Sequence, residues 1–130
     1  MAKILFNEAT KEFHLQNDRI SYIFCIMENG QLGHQYFGKH LTHRDSFQHF
    51  IQMRTQSHTA YVYENDFLFT LDTIRQEYPS YGTTDFREPA YQIKQENGSR
   101  ITEFVYKNHE IYKGKKKLKG LPATYNRSRG

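Results

Sequence analysis

The chain has 130 residues, enough for one domain with a modest core, and 37% of them are hydrophobic. Its net charge of +4 comes from residues 111–130, which hold seven Lys and Arg and no acid, whereas residues 1–110 hold 11 Lys and Arg against 14 acids. Because the body has no basic stripe and the lysine run 115–117 has no interleaved aromatic residues, a nucleic-acid-binding function is disfavoured.

Cysteine content and the length of the apolar runs bear on the compartment. Cys25 is the only cysteine, so no internal disulfide can form, and its apolar neighbours indicate a core thiol in a reducing compartment. The apolar run at the N-terminus is too short for a signal peptide, and the longest run, residues 22–27, is too short to cross a membrane. We therefore expect a cytoplasmic protein with no membrane contact.

The first 40 residues alternate in the manner of short antiparallel strands. Residues 3–6 and 12–16 are strand candidates, and residues 19–28 are apolar on both faces, which is typical of a strand inside a sandwich. Asn29-Gly30 predicts a type I′ hairpin turn, followed by a strand over residues 31–37. The two-residue loop predicts these pairs: Glu28 with Gln31, Met27 with Leu32, Cys25 with His34 and Ile23 with Tyr36.

The middle of the chain is less regular. Residues 46–53 have apolar side chains at helical spacing and predict one or two turns of helix. Residues 67–71 predict a further strand, and residues 72–75 predict a turn of helix.

A second Asn-Gly pair, at residues 97–98, predicts another hairpin with strands at 91–96 and 99–106. Tyr91 should then lie opposite Phe104, and Ile93 opposite Thr102, with a further strand at 107–113. Hairpins, many short strands and little helix predict an all-β fold, an antiparallel β-sandwich.

Between these regions, residues 76–90 follow neither a helical nor a strand period. Two prolines, Pro79 and Pro89, and the turn-permitting Gly82 predict a rigid loop. Rigid loops rich in aromatic and charged residues often contact a ligand or a partner, although an ordinary bent connection between strands has the same composition. The candidate contact residues are Tyr78, Tyr81, Asp85 and Arg87.

Known catalytic patterns do not fit the chain. Asp85 and Glu88 flank Arg87, and a positive charge between two carboxylates favours a salt bridge or contact with sugar hydroxyls over general acid chemistry. Nucleophile elbows and glycine-rich phosphate loops are absent from the sequence. Five histidines lie within 25 residues but lack supporting cysteines, so we expect no catalytic residue, metal or cofactor; they are His34, His40, His43, His49 and His58.

A set of short motifs, taken in order, resembles the N-terminal β-domain of bacterial α-galactosidases of glycoside hydrolase family 36. The resemblance covers residues 3–125, which we take as one incomplete domain, and residues 126–130 diverge from it. The motifs include Phe13-His14-Leu15, Asn29-Gly30-Gln31-Leu32-Gly33-His34, Tyr36-Phe37-Gly38-Lys39, Gln76-Glu77-Tyr78-Pro79, Asp85-Phe86-Arg87, Glu96-Asn97-Gly98 and Gly120-Leu121-Pro122-Ala123-Thr124-Tyr125.

The resemblance implies a truncated supersandwich-like domain that precedes a (β/α)₈ barrel holding both catalytic aspartates. It implies a tetrameric enzyme that hydrolyses terminal α-galactosides such as melibiose and raffinose, with loops of this domain near a neighbouring subunit's active site. The chain would then be inactive alone and serve oligomer assembly and the rim of the sugar site. Its partners would be the barrel, neighbouring subunits and an α-galactoside.

Within that picture, Tyr78 and Tyr81 would pack on the barrel or a neighbouring subunit. Asp85 and Arg87 would brace the loop through a charge-assisted hydrogen bond or, less favoured, meet galactoside hydroxyls. Residues 42–66 do not align with the family's substrate-contacting positions, so no role is carried over to them. The alternative function is a stand-alone carbohydrate-binding or self-associating β-module.

Overall fold

The computed structural model describes residues 1–123. Four strands form one antiparallel sheet in the order β1-β2-β3-β4. One turn of 3₁₀ helix, Gln48–Phe50, lies within the predicted helical stretch 46–53. The four strands predicted in the first 40 residues are confirmed, with these bounds: β1 (Lys3–Asn7), β2 (Glu12–Gln16), β3 (Ile20–Ile26) and β4 (Leu32–Lys39). In this described part of the chain, no helix has the length and apolarity needed to cross a membrane.

The β3–β4 hairpin forms where it was predicted, but its loop has three residues instead of two. The N–H of Met27 donates to the carbonyl of Gln31 (2.8 Å), and the N–H of Gly30 donates to the carbonyl of Met27 (2.9 Å). Gly30 has a positive φ (+82°) whereas Asn29 does not. The turn is therefore the three-residue form that ends in a left-handed glycine, and the predicted type I′ turn is wrong.

The longer loop shifts the strand register by one residue beside the turn. Ile26 pairs with Leu32 and Cys25 with Gly33, and Gln31 bonds to Met27. The predicted pairs of Glu28 with Gln31, Met27 with Leu32 and Cys25 with His34 are therefore wrong. A bulge between Ile23 and Phe24 removes the shift, and Ile23 pairs with Tyr36 as predicted.

One face of the sheet carries the main apolar core. Cys25 and Met27 pack there against Phe69, Leu71 and Ile74, all buried. Residues 67–75 cover this face as irregular chain and a turn, so the predicted strand at 67–71 is wrong. The layer over this face consists of loops, and the predicted fold class, all-β and antiparallel with little helix, is confirmed.

The opposite face of the sheet is aromatic. The Phe13 ring lies between those of Phe6 (4.5 Å between centroids) and Phe24 (4.8 Å). His109 covers one end of this row, with its ring 4.7 Å from that of Phe13. At the other end Phe37 remains 66% exposed, so this aromatic face is only partly covered.

The free edge of β4 holds the start of the loop 76–90. Gln76 forms a bridge with Gly33, and the N–H of Glu77 donates to the carbonyl of Leu32 (2.9 Å). The N–H of His34 donates to the carbonyl of Arg75 (2.8 Å). The loop therefore leaves the sheet from a defined point.

Residues 91–123 form no strand, so the strands predicted at 91–96, 99–106 and 107–113 are wrong. A turn forms where it was predicted, but again with three loop residues instead of two, because the N–H of Gln95 donates to the carbonyl of Ser99 (2.9 Å) and only Gly98 of the Asn-Gly pair has a positive φ (+83°). Tyr91 and Phe104 do meet, with ring centroids 4.6 Å apart and nearly parallel planes. Most of the other side chains in this stretch are exposed.

Candidate functional site

Asp85 is the buried anchor of the loop 76–90, with only 2% of its surface exposed. Its Oδ1 accepts a hydrogen bond from Arg87 Nε, and its Oδ2 accepts one from Arg87 Nη2, both at 2.9 Å. Gln76 Nε2 donates to Oδ2 (2.8 Å). A carboxylate satisfied in this way is a structural brace, which is the interaction that the sequence favoured for Asp85 and Arg87.

The guanidinium of Arg87 reaches beyond Asp85. Nη2 also donates to the carbonyl of Ile74 (2.9 Å), and Nη1 donates to the carbonyl of Asp72 (3.3 Å). The hydrogen bond to Asp85 raises the pKa of Arg87, against a smaller lowering by partial burial. One side chain thus ties residues 72–74 to the loop.

The turn at residues 82–85 has an unusual backbone. Thr83 and Thr84 both have positive φ (51° and 73°), a region that β-branched residues rarely adopt. Gly82 and Asp85 hold the turn by two backbone hydrogen bonds, of 2.8 and 3.1 Å. A Cβ on Gly82 would lie 2.7 Å from Ile101 Cγ2, so this position needs glycine. Such strain is typical of functional loops that their surroundings hold in place.

The two predicted tyrosines occupy different surroundings. Tyr78 stacks on Tyr91, with centroids 4.9 Å apart and planes 13° apart, and is 51% exposed. Tyr81 meets Phe86 edge to face at 5.8 Å and 79°. Tyr81 and Phe86 are 40% and 63% exposed, respectively.

A cleft of about 350 Å³ opens beside Tyr81 and Phe86. The structure therefore brings Tyr81 and Arg87 to one cleft and Asp85 beneath it, while Tyr78 belongs to a separate aromatic stack. Their predicted place beside a sugar or a subunit stays a prediction. The cleft is lined by Tyr81, Phe86, Arg87, Glu88, Pro89, Gln92 and Arg100.

Sequence reasoning missed Glu77, which joins the loop to the aromatic face. Its carboxylate accepts a hydrogen bond from the hydroxyl of Tyr22 and pairs with His34 Nδ1 (2.5 Å). Burial and the hydrogen bond to Glu77 raise the pKa of Tyr22 far above its usual range. Tyr22 and Glu77 are 55 residues apart, so no local pattern signals this cluster.

Glu12 is a second buried carboxylate that the sequence did not reveal, with 3% of its surface exposed. It accepts hydrogen bonds from Gln35 Nε2 (2.6 Å) and from the backbone N–H of Phe47 (2.9 Å). Burial, with the nearby charge of Glu12 as a smaller cause, raises the pKa of Cys25 to about 12. A thiol held protonated in this way is no nucleophile, in keeping with the predicted core role of Cys25.

The histidines do not gather into a metal site. His14 is buried, with Nδ1 3.0 Å from His43 Nδ1 and Nε2 2.9 Å from Ser21 Oγ. Within residues 1–123, no group of three or more His, Cys, Asp or Glu side chains is arranged to hold a metal ion. The His14–His43 pair therefore braces the segment after β4 instead.

Comparison with known proteins gives consistent results. AgaA, an α-galactosidase of Geobacillus stearothermophilus, is 44% identical over 122 residues, which cover 94% of this chain and 17% of AgaA. The crystal structure of an α-galactosidase from Lactobacillus brevis matches 96% of this chain and 17% of its own, at 40% identity and a TM-score of 0.85. A variant of AgaA solved in complex with raffinose matches 91% of this chain and 16% of its own, at 44% identity and a TM-score of 0.78.

The chain thus spans about one sixth of the length of the relatives it matches. The family model for the glycosyl hydrolase family 36 N-terminal domain matches residues 30–129, most of the chain. This chain belongs to glycoside hydrolase family 36, as the N-terminal domain of its α-galactosidases.

Proposed function

We propose that this chain is the non-catalytic N-terminal part of an α-galactosidase that hydrolyses terminal α-galactosides of the melibiose and raffinose type. Its task is to assemble with the rest of the enzyme and with neighbouring subunits, and to contribute to the rim of the sugar site. Supporting this, relatives about six times longer are α-galactosidases, and one of them was solved with raffinose. We place the enzyme in the cytoplasm.

The observation that carries the proposal is the state of residues 91–112, here named the open segment. Its apolar residues alternate as in a strand, yet they form no ladder and face solvent: Ile93, Ile101, Phe104 and Ile111 are 43–53% exposed. The hydroxyl of Tyr91 is buried without a hydrogen-bond partner in the described chain. A strand sequence without its sheet is expected where the partner strands belong to the remaining five sixths of the polypeptide.

The aromatic face of the sheet is a second surface suited to contact with the rest of the enzyme. The aromatic face of the sheet is covered by the open segment at one end only, and Phe37 projects from the other. Contiguous exposed apolar surface of this kind marks an interaction site. The aromatic face and the open segment together offer the following domain both side-chain packing and free backbone groups.

The loop 76–90 is suited to a rim and unsuited to catalysis. Asp85 is buried and neutralised by Arg87, so it cannot serve as the acid or the nucleophile of a glycosidase. The brace makes the loop rigid while Tyr78 and Tyr81 stay exposed at its surface. A rigid loop with exposed aromatic rings can line a site whose chemistry lies elsewhere.

The test is complementation in two pieces. An AgaA polypeptide lacking the segment matched by this chain is refolded with and without residues 1–130, and hydrolysis of a chromogenic α-galactoside is measured. We expect a stoichiometric complex that hydrolyses the substrate, and no activity from either piece alone. Galactose release by purified 1–130 at an enzyme-like rate, with contaminating hydrolase excluded, contradicts the proposal.

A matched pair of variants locates the contact. Phe104 and Phe67 are equally exposed, at 52%, but only Phe104 lies in the open segment. Phe104→Asp should abolish complex formation, because a charge would be buried against the partner strands. Phe67→Asp should leave it intact. Equal effects of the two substitutions contradict an interface at the open segment.

The unpartnered surfaces also predict self-association of the chain when it is alone. Free strand edges and exposed apolar side chains favour association with further copies. Sedimentation velocity over a range of concentrations should show oligomers that disappear when the AgaA piece is added. A compact monomer at every concentration argues against the proposal.

A further inference from the structure

The segment that follows β4 is tied to the sheet by polar contacts at alternate residues. In this segment, residues 40–47 and here named the strap, the N–H of Leu41 donates to Ser21 Oγ (2.9 Å). Two residues later, His43 Nδ1 lies 3.0 Å from Nδ1 of the buried His14. Ser21 Oγ also lies 2.9 Å from His14 Nε2, so one network of hydrogen bonds holds the first half of the strap.

The second half of the strap is held without histidine. The carbonyl of Asp45 accepts a hydrogen bond from Asn7 Nδ2 (2.7 Å). The N–H of Phe47, which is buried, donates to the carboxylate of Glu12 (2.9 Å). The two halves of the strap can therefore respond differently when histidine is protonated.

The contact between the two imidazoles depends on their protonation. A neutral imidazole has one nitrogen that donates and one that accepts, so two Nδ1 atoms at 3.0 Å share a single proton. When both rings are charged, both Nδ1 atoms carry a proton and neither can accept. The like charges then also repel each other across the contact.

His14 lies where a positive charge is unfavourable. Burial lowers the pKa of His14, and the charges of His43 and His40 lower it further. Leu5 of β1 and Ile23 of β3, which pair with His14 on either side, are apolar. A proton on His14 is therefore better accommodated once the ring is exposed to water.

The other groups near His14 do not offset this effect. Ser21 is uncharged, and the ring of Phe47 meets that of His14 edge to face, with centroids 5.3 Å apart. Glu12, two residues earlier on the same face of β2, already accepts hydrogen bonds from Gln35 and Phe47. The two charged side chains of the strap itself, at positions 44 and 45, are exposed to solvent. Protonation of the histidine pair thus acts against the bound position of the strap.

We propose that the first half of the strap, residues 40–44, is a pH-sensitive element that is held on the sheet at neutral pH and released in mildly acidic solution, when both imidazoles carry a proton. Release moves Leu41 and His43 away from the sheet and exposes His14 to water. The hydrogen bonds at Asp45 and Phe47 stay in place, so the release ends there. No residue of the open segment takes part, and the inference is independent of the assembly role proposed above.

Hydrogen exchange of the full 130-residue chain at pH 7.5 and pH 5.0, corrected for the intrinsic effect of pH on exchange, tests this. The Leu41 amide reports release of the strap, and the Ile26 amide, bonded to the carbonyl of Lys11 (2.9 Å), reports opening of the sheet. Protection of Leu41 should fall by up to about thirtyfold at pH 5.0, because an exposed His14 has an ordinary pKa of about 6.5. Ile26 should stay better protected than Leu41 at both pH values.

His43→Asn and His58→Asn form a matched pair of variants. Both histidines are exposed, but His43 contacts His14 whereas His58 lies in a loop outside the strap. His43→Asn should lower the protection of Leu41 at pH 7.5 by about two- to tenfold, the size of one lost hydrogen bond. The further fall at pH 5.0 should shrink, because the charge of His43 is gone. His58→Asn should leave both values unchanged.

Protection of Leu41 that is equal at the two pH values overturns the proposal. Protection equal to that of Ile26 at pH 5.0 overturns it as well, because the strap would then leave only when the whole sheet opens. A fall that persists undiminished in His43→Asn, or that His58→Asn reduces equally, assigns the pH dependence to another group and also overturns it. If His43→Asn loses the circular dichroism of the sheet, the comparison of Leu41 with Ile26 in the unchanged chain decides alone.

Discussion

Residues 3–39 and the open segment carry the same sequence pattern and fold differently. Both place segments rich in apolar and aromatic residues on either side of an Asn-Gly turn. In the first region, β3 pairs with strands on both sides and its side chains Ile23 and Cys25 are buried, with Cys25 packed against Phe69, Leu71 and Ile74. In the open segment the turn closes and Tyr91 stacks on Phe104, but no ladder forms and most side chains stay exposed.

The difference shows that alternation selects which residues can pair, whereas burial decides whether they do. A two-stranded hairpin is marginal in water, because its hydrogen bonds replace bonds to solvent with little net gain. A third strand and a covered face supply the missing apolar burial. Residues 3–39 have both a third strand and a covered face, and the open segment has neither.

A matched pair of leucines tests where the chain is packed. Leu71 is fully buried under the sheet, and Leu118, beyond the open segment, is 66% exposed. Leu71→Ala should lower the free energy of unfolding by about 2–5 kcal/mol, whereas Leu118→Ala should change it by less than about 0.5 kcal/mol. Urea unfolding followed by circular dichroism measures both, and similar losses would mean that the region after residue 112 is packed after all.

Two ion pairs of the chain differ in burial. Asp85 is buried against Arg87, while Glu110 and Lys116 form an exposed pair at 2.8 Å. Asp85→Asn should cost about 1.5–3 kcal/mol, because Arg87 loses its charged acceptor. Glu110→Gln should cost about 0–1 kcal/mol, because solvent screens the exposed pair.

Both variants are compared by thermal unfolding in low and high salt. High salt should reduce the small loss of stability in Glu110→Gln and leave the loss of stability in Asp85→Asn nearly unchanged. An Asp85→Asn chain as stable as the original would contradict the brace.

Gly30 and Gly98 are the glycines of the two hairpin turns. Gly30 and Gly98 have nearly the same φ (+82° and +83°), but a Cβ on Gly30 would lie 3.2 Å from Val105, whereas Gly98 faces open space. Gly30→Ala should destabilise the chain by about 1–2 kcal/mol through left-handed strain. Gly98→Ala should have a smaller effect, because its hairpin can open without disturbing a sheet. Equal losses in urea unfolding would show that the second hairpin is as firmly formed as the first.

The smallest expected effect is a dependence of the unfolding free energy on pH. It arises from His14 in the sheet and not from the open segment. Burial, followed by the charges of His43 and His40, lowers the pKa of His14. Below its unfolded pKa of about 6.5, the unfolded chain binds a proton that the folded chain resists. The free energy of unfolding is therefore highest above that pH and decreases as the pH drops toward the lowered pKa of the folded state.

Unfolding free energies between pH 5 and 8 measure this dependence. His14→Asn should flatten the profile, and His58→Asn, at an exposed loop position, should leave it unchanged. The groups around His14 are His43, His40, Ser21 and the ring of Phe47. A profile that keeps its slope in His14→Asn assigns the pH dependence to another group.

The candidate site was predictable in part. The composition of residues 76–90 indicates a rigid loop, and the neighbouring signs of Asp85 and Arg87 indicate their ion pair, since both are local features. The acceptors at Asp72 and Ile74 were hidden, because backbone carbonyls have no sequence signature. Arg100 was hidden as well, because it reaches the cleft only through the course of the chain after residue 91.

Local sequence patterns predicted the class of the fold, the positions of the first four strands and the positions of both turns, because these follow from strand-like spacing and from the backbone freedom of glycine. Contacts between distant parts of the chain set the hairpin register, the burial of Glu12, the partners of Glu77 and the failure of the open segment to form strands. Each of these depends on contacts between residues far apart in the chain, where packing and desolvation outweigh local preference.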